Sequence, residues 1–171
     1  MSKYKYGIKS FIVDNIDPAN GNAAGTDALD ITPEIFRDSF DMTEEDGTET
    51  DIYSEMDNTP KLSFLEPGKE TLTFELLDTR PEMLERFLGG TVVEAAGKKT
   101  WSKPANQGII EKHLTITLLD DTIMTIPRAK VVAKKNFTFR RNAPWTLEVN
   151  VTVLTPEVGS LAAIDISEPT A

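Results

Sequence analysis

Side chains that exchange protons, attack carbonyls or grip metals are scarce in this 171-residue chain. It has no cysteine, which removes thiolate zinc sites, iron–sulfur clusters, disulfide scaffolds and cysteine nucleophiles together. His113 is the one histidine, so a His-rich metal site or a two-histidine mechanism is excluded. It sits in an alternating stretch, with no Gly-x-Ser-x-Gly elbow anywhere in the chain, and reads as a structural strand residue. Neither Gly-x-Gly-x-x-Gly nor Gly-Lys-Ser/Thr occurs, so no loop is built to cradle phosphate. Paired carboxylates of the glycosidase kind must flank an aromatic-lined cleft; with 28 acids such pairs arise by number alone. Calcium loops need Asp-x-Asp-x-Asp-Gly order, which neither Glu44–Glu49 nor Asp14–Gly25 has. The expectation is a protein that is not an enzyme and uses neither metal nor cofactor.

Charge is better organised than chemistry. Residues 1–60 carry 14 acids against 4 bases, whereas residues 61–120 carry 9 against 8 and residues 121–171 carry 5 against 6. The whole net charge of -10 therefore sits in the first third. Its densest part holds Glu44, Glu45, Asp46, Glu49, Asp51, Glu55 and Asp57 with no base between them. The opposite cluster is Arg128, Lys130, Lys134, Lys135, Arg140 and Arg141, with no acid among them. Each reads either as a solvated face or as one half of a complementary contact between copies, which would set orientation and partner choice. Six bases on so acidic a chain make a weak footprint for binding nucleic acid.

Most of the elements that carry these charges alternate with period two. Residues 1–13 suggest an opening strand, and Asp14–Asp30, with Pro18, Gly21 and Gly25, reads as a loop. Asp46-Gly47 predicts a hairpin turn between Phe40–Thr43 and Thr48–Ser54. Its arms offer few apolar side chains, Ile52, Tyr53 and Met56, so a hairpin over 43–57 should project from the body and await a partner. Leu62 and Phe64, then Leu72, Phe74 and Leu76, predict two core strands joined by a type II turn at Pro67-Gly68. One helix is expected over about 79–89, capped by Thr79, with Pro81 in its first turn, Met83, Leu84, Phe87 and Leu88 on one face, and Gly89-Gly90 closing it. Further strands are expected over 91–95, 112–119, 122–127, 129–133, 137–140 and 146–154. Trp101 and Trp145 read as anchors at the edge of the core.

Eight or more strands at hairpin spacing with one short flanking helix predict a mainly β fold, a β-sandwich or barrel. The length fits a single domain over 1–171, large enough to bury roughly 70% of its unfolded surface. No apolar stretch resembles a secretory signal or a membrane span, so a cytoplasmic protein that makes no membrane contact is expected.

The order of these pieces resembles a known family. An acidic hairpin is followed by Pro67-Gly68-Lys69-Glu70-Thr71-Leu72-Thr73-Phe74, then by a short helix ending Phe87-Leu88-Gly89-Gly90 and a Trp101-Ser102-Lys103-Pro104 segment. Ile126-Pro127-Arg128-Ala129-Lys130-Val131 and a last strand ending Val153-Leu154-Thr155-Pro156 complete it. Over roughly residues 35–156 this is similar to the tail tube (major tail) proteins of tailed bacteriophages. The resemblance implies hexameric rings stacked into a hollow tube through which DNA passes as non-specific cargo. It implies a place in the virion tail after assembly in the host cytoplasm, with tape measure, tail terminator and baseplate proteins as partners. It also implies that the 43–57 hairpin reaches the next ring, and that arms at 1–12 and 156–171 order on neighbouring subunits. The candidate contacts between subunits are then Glu44, Glu45, Asp46, Glu49, Asp51, Ile52, Tyr53 and Glu55 on the acidic side. Arg128, Lys130, Lys134, Lys135, Arg140 and Arg141 stand on the basic side. The alternative is a β-sandwich virion decoration or binding module that recognises a host glycan through Trp101 and Trp145.

Overall fold

Strands that alternate apolar and polar residues have one face to bury, and here a single sheet buries it by curling on itself. The structure is a computed structural model and describes residues 4–169. The sheet is built from β1 (Ile8–Asp14), β2 (Leu29–Asp30), β3 (Asp41–Glu44), β6 (Glu70–Leu76), β9 (Ile110–Leu118), β10 (Ile123–Asn136), β11 (Thr146–Val153) and β12 (Asp165–Ser167). Its order is β2-β1-β9-β10-β11-β6-β3, with β12 beside β10, and each pairing is antiparallel. Two ribbons stand apart from it: β4 (Thr48–Ser54) with β5 (Asp57–Glu66), and β7 (Thr91–Ala95) with β8 (Lys98–Ser102). The fold is mainly β and of the sandwich or barrel class, as the alternation predicts.

The curl is measured by two rings. Phe11 in β1 meets Phe74 in β6 edge to face, with centroids 5.2 Å apart, although β9, β10 and β11 lie between their strands. In a flat sheet four strand spacings would separate them by about 19 Å. Phe40 completes the trio, 5.5 Å from Phe11 and 5.9 Å from Phe74. The segment 31–36 bridges the two sides. Ile31 donates its N–H to the Phe11 carbonyl (2.9 Å), and Phe36 donates to the Glu75 carbonyl (2.7 Å). Inside lie the inward residues of β6, β9, β10 and β11, among them Leu72, Leu76, Leu114, Ile116, Val131, Val149 and Val151.

The helix α1 (Pro81–Leu88) buries Met83, Leu84, Phe87 and Leu88 against this core. It begins one residue later than its sequence suggests. Arg80 occupies the cap position in an extended conformation without a side-chain cap bond, while the Asp78 carboxylate accepts the Arg80 N–H (2.9 Å) and grips its guanidinium. Thr79 is therefore not the cap. Gly89 and Gly90 end the helix at φ 71° and 103°, and the Trp101 indole donates to the Gly89 carbonyl (2.9 Å), anchoring Trp101 at the core edge.

Several expectations change, among them the strand expected over 137–140, which lies instead in the loop between β10 and β11. Residues 122–127 and 129–133 are one strand: β10 runs through Pro127, and between Ile126 and Ala129 its register against β9 slips by one residue. That bulge accommodates a proline, which has no N–H to give the ladder. The stretch 61–66 is not a core strand. Leu62 and Phe64 are exposed in β5, and the projecting hairpin turns at Glu55-Met56 instead of Asp46-Gly47. Neither Gly47 nor Gly68 has a positive φ, so Pro67-Gly68 is not the type II turn its sequence suggests. β3 continues into β4 and β5 into β6, forming one long ribbon that leaves the sheet.

The terminal segments lie on their own chain. From Ile8 the first strand is internal to the sheet, and β12 pairs Asp165–Ser167 with Ile123–Thr125. Lys5 joins the two ends by pairing with Asp120 and Glu168, each at 3.1 Å. The arm residues 1–3 and 170–171 lie outside the described residues.

Candidate assembly surface

The β4–β5 hairpin is amphipathic. Residues facing each other across an antiparallel ladder share one side of it. Ile52 faces Leu62 and Thr50 faces Phe64, giving an apolar side; Glu49 faces Leu65 and Asp51 faces Ser63, giving an acidic one. The apolar side is uncovered, with Ile52 47% exposed and Leu62 and Phe64 each 56%. Met56 at the tip is 95% exposed. Short polar contacts stiffen the other side: Ser63 donates to Glu49 (2.9 Å) and the Tyr53 hydroxyl to Asp51 (3.1 Å). Asp57 accepts the Thr59 N–H (3.0 Å), and Lys61 lies 3.3 Å away. These contacts hold the Asp57 carboxyl below its ordinary value, the Thr59 backbone bond first.

At the base of the ribbon Glu44 faces Glu70 across β3 and β6, and Glu45 donates its N–H to the Lys69 carbonyl (2.9 Å). Asp46 and Gly47 then lead into β4, and Glu55 lies in the far turn; all three are exposed. Among the described residues no group of acids converges to hold a metal ion.

The basic cluster is scattered by the fold. Arg128 is occupied within its own chain, donating to both Glu111 carboxylate oxygens (2.7 and 3.0 Å) and pairing with Glu157 (3.1 Å). The Glu111 hydrogen bonds raise its pKa, against the cost of burial. Lys130 lies between Glu111 and Thr152 in the ladder, and Lys134 faces Glu148. Lys135 lies over the Trp101 ring, 5.0 Å from its centroid. Arg140 and Arg141 stand in the loop after β10, where among the described residues they make no ion pair. No ion pair joins the hairpin acids to this basic group within one chain, again among the described residues.

Around Arg140 and Arg141 the structure gathers a feature that charge reasoning overlooks. Phe137 stacks on Trp145 at 4.3 Å and 13°, and Phe139 meets the same indole edge-on at 5.2 Å. Phe139 is 83% exposed and Trp145 41%. Trp145 is thus not packed into the core as Trp101 is. The available signal was local: three aromatic residues flank two arginines within nine positions, 137–145.

The loop 14–30 is held by a buried polar cluster. The Asp14 carboxylate accepts N–H bonds from Asn15 (2.7 Å), Gly25 (2.6 Å) and Asp27 (3.2 Å). Burial pushes its pKa up, but these bonds together outweigh burial and hold it below the ordinary value. Arg86 ion-pairs with Asp27 and donates to its carbonyl (2.7 Å), and Lys112 donates to Asn15 (2.6 Å). They line a cleft of about 730 Å3 beside α1. His113 faces Asp14 across the ladder and is buried, its Nδ1 unpartnered. Burial lowers its pKa, opposed in part by Asp14.

Comparison with known proteins finds no family model and no curated protein that matches this chain.

Proposed function

We propose that this chain is the structural subunit of a phage tail tube: copies close into rings, probed first as hexamers, and rings stack into a hollow conduit for DNA. The observation that carries the reading is the β4–β5 hairpin, a 19-residue extension, 48–66, whose apolar side is left uncovered by the described residues of its own chain. A two-stranded ribbon in water is marginal, and docking on another copy gives this one burial. The net charge of -10 suits a channel wall that lets a polyanion slide. The body, a curled sheet with one short helix, fits the resemblance noted in the sequence. Tape measure, terminator and baseplate proteins would be its partners in the virion tail, after assembly in the host cytoplasm.

Electron micrographs of the concentrated protein at low and moderate salt test this. Rings or stacked tubes with a central hole are expected, and the Asp51→Lys, Glu55→Lys variant should stay folded but stack poorly. Tubes of unchanged length from that variant remove the hairpin's docking role. A second reading, a glycan-binding β-sandwich, is favoured by the exposed Phe139 and Trp145, the latter stacked on half-buried Phe137. It requires a particle that stays monomeric or trimeric and binds sugars.

A further inference from the structure

The hairpin needs a receiving surface, and its own chemistry narrows the choice. It presents Ile52, Leu62 and Phe64 on one side, within a segment whose seven acids from Glu44 to Asp57 have no base between them, Asp57 alone pairing with Lys61 among the described residues. Pairing two hairpins with each other would bring two net-acidic segments side by side without a basic partner, which disfavours association. The complement must instead be apolar at its centre and basic at its rim. Of the six bases in the cluster, Arg128 is already engaged by Glu111 and Glu157 and Lys135 by Trp101, while Lys130 and Lys134 face Glu111 and Glu148 in their own ladders. Arg140 and Arg141 remain, beside exposed Phe139 and Trp145 and the half-buried Phe137.

We propose that the loop joining β10 to β11, with Phe137, Phe139 and Trp145 at its centre and Arg140 and Arg141 at its rim, receives the β4–β5 hairpin of a second copy. This identifies the partner surface for the docking proposed above and rests on that reading. Phe139 and Trp145 supply large rigid apolar faces, the side chains that anchor protein contacts most strongly. The arginines meet the hairpin acids where solvent still reaches, setting orientation and encounter rate. Hairpin and loop are different patches of one chain, so a contact in which each copy offers its hairpin to a new neighbour is heterologous and passes from copy to copy into a ring or a stack.

The chain lacks cysteine, so introduced thiols report without background. Phe64→Cys and Phe139→Cys replace exposed side chains, and each variant is made separately in the full-length protein. The two are then mixed under mild oxidation and the products identified by peptide mapping. Docking holds the two thiols at high effective concentration, so the mixed disulfide should form at least about tenfold faster than either homodimer. Adding Arg140→Glu and Arg141→Glu to the Phe139→Cys protein should abolish that advantage. Equal rates for mixed and like pairs, or a dominant Phe64→Cys homodimer, overturn the proposal. Micrographs of the unmodified protein separate the two ideas. Tubes without the mixed disulfide leave the tube and remove this receiving surface; the mixed disulfide without tubes does the reverse.

Discussion

Gly68 passes so close to Glu45 that a Cβ built on it would lie 1.6 Å from the Glu45 carbonyl oxygen. Across the same crossing a Cβ on Gly47 would lie 2.8 Å from the Glu66 carbonyl oxygen. Both glycines are needed for closeness of approach, not for an unusual φ, because two backbones touch where the ribbon leaves the sheet. Gly68→Ala should force the strands apart there, at a cost of about 1–3 kcal/mol. Amide exchange in Thr48–Glu66 should quicken while exchange in β9 and β10 stays slow. Gly108→Ala, where an added Cβ meets nothing within 4 Å, is the control. Equal protection of the hairpin in both variants would refute the crossing as its anchor.

Phe74 is one of three mutually packed rings that tie β6 to β1 across the curled sheet. Phe74→Ala should cost about 3–5 kcal/mol, part in lost burial and part in the cavity left behind. Urea unfolding at neutral pH measures this. A loss below about 1 kcal/mol would mean that the curl is held elsewhere.

Acid should weaken the fold in two stages, each with a definite sign. His113 has a folded pKa below its usual 6.5. Below pH 6.5 the unfolded chain therefore binds a proton that the folded chain refuses, and stability falls until the folded pKa is reached. Asp14 has a folded pKa below its usual 3.8. Its contribution is complete above 3.8 and is lost as pH drops through the folded value. His113→Gln should flatten the upper stage and leave the lower one, seen as the pH dependence of the urea midpoint. An unchanged slope between pH 6.5 and 5 would show that His113 is not its source.

Much of the body was legible in the sequence because burial there repeats locally. Leu72, Phe74 and Leu76, and Leu147, Val149 and Val151, alternate with polar residues and are fully or nearly fully buried. Leu62 and Phe64 show the same alternation and are exposed. Period two records that a strand has an apolar side, but what covers that side depends on residues far away in sequence. The basic cluster failed to stay together for a related reason. Arg128 finds Glu111 across the β9–β10 pairing, 17 residues back, so a run of free charges in sequence became a neutralised pair. The anchor of the 14–30 loop was also hidden, since Asp14, Asp27, Arg86 and Lys112 come from three separate stretches of chain.

The continuity of β3 with β4, and of β5 with β6, has a mechanical meaning. A load drawn along the hairpin passes directly into β6, which is bonded to β11 over Thr71–Leu76 on one edge and to β3 on the other. Backbone hydrogen bonds in such ladders lie across the strand axis, so tension reaches them as shear and they resist together instead of peeling one after another. The hairpin is spliced into the body like a strand into a rope, and bending or stretching should move the tip long before it draws β6 from its place.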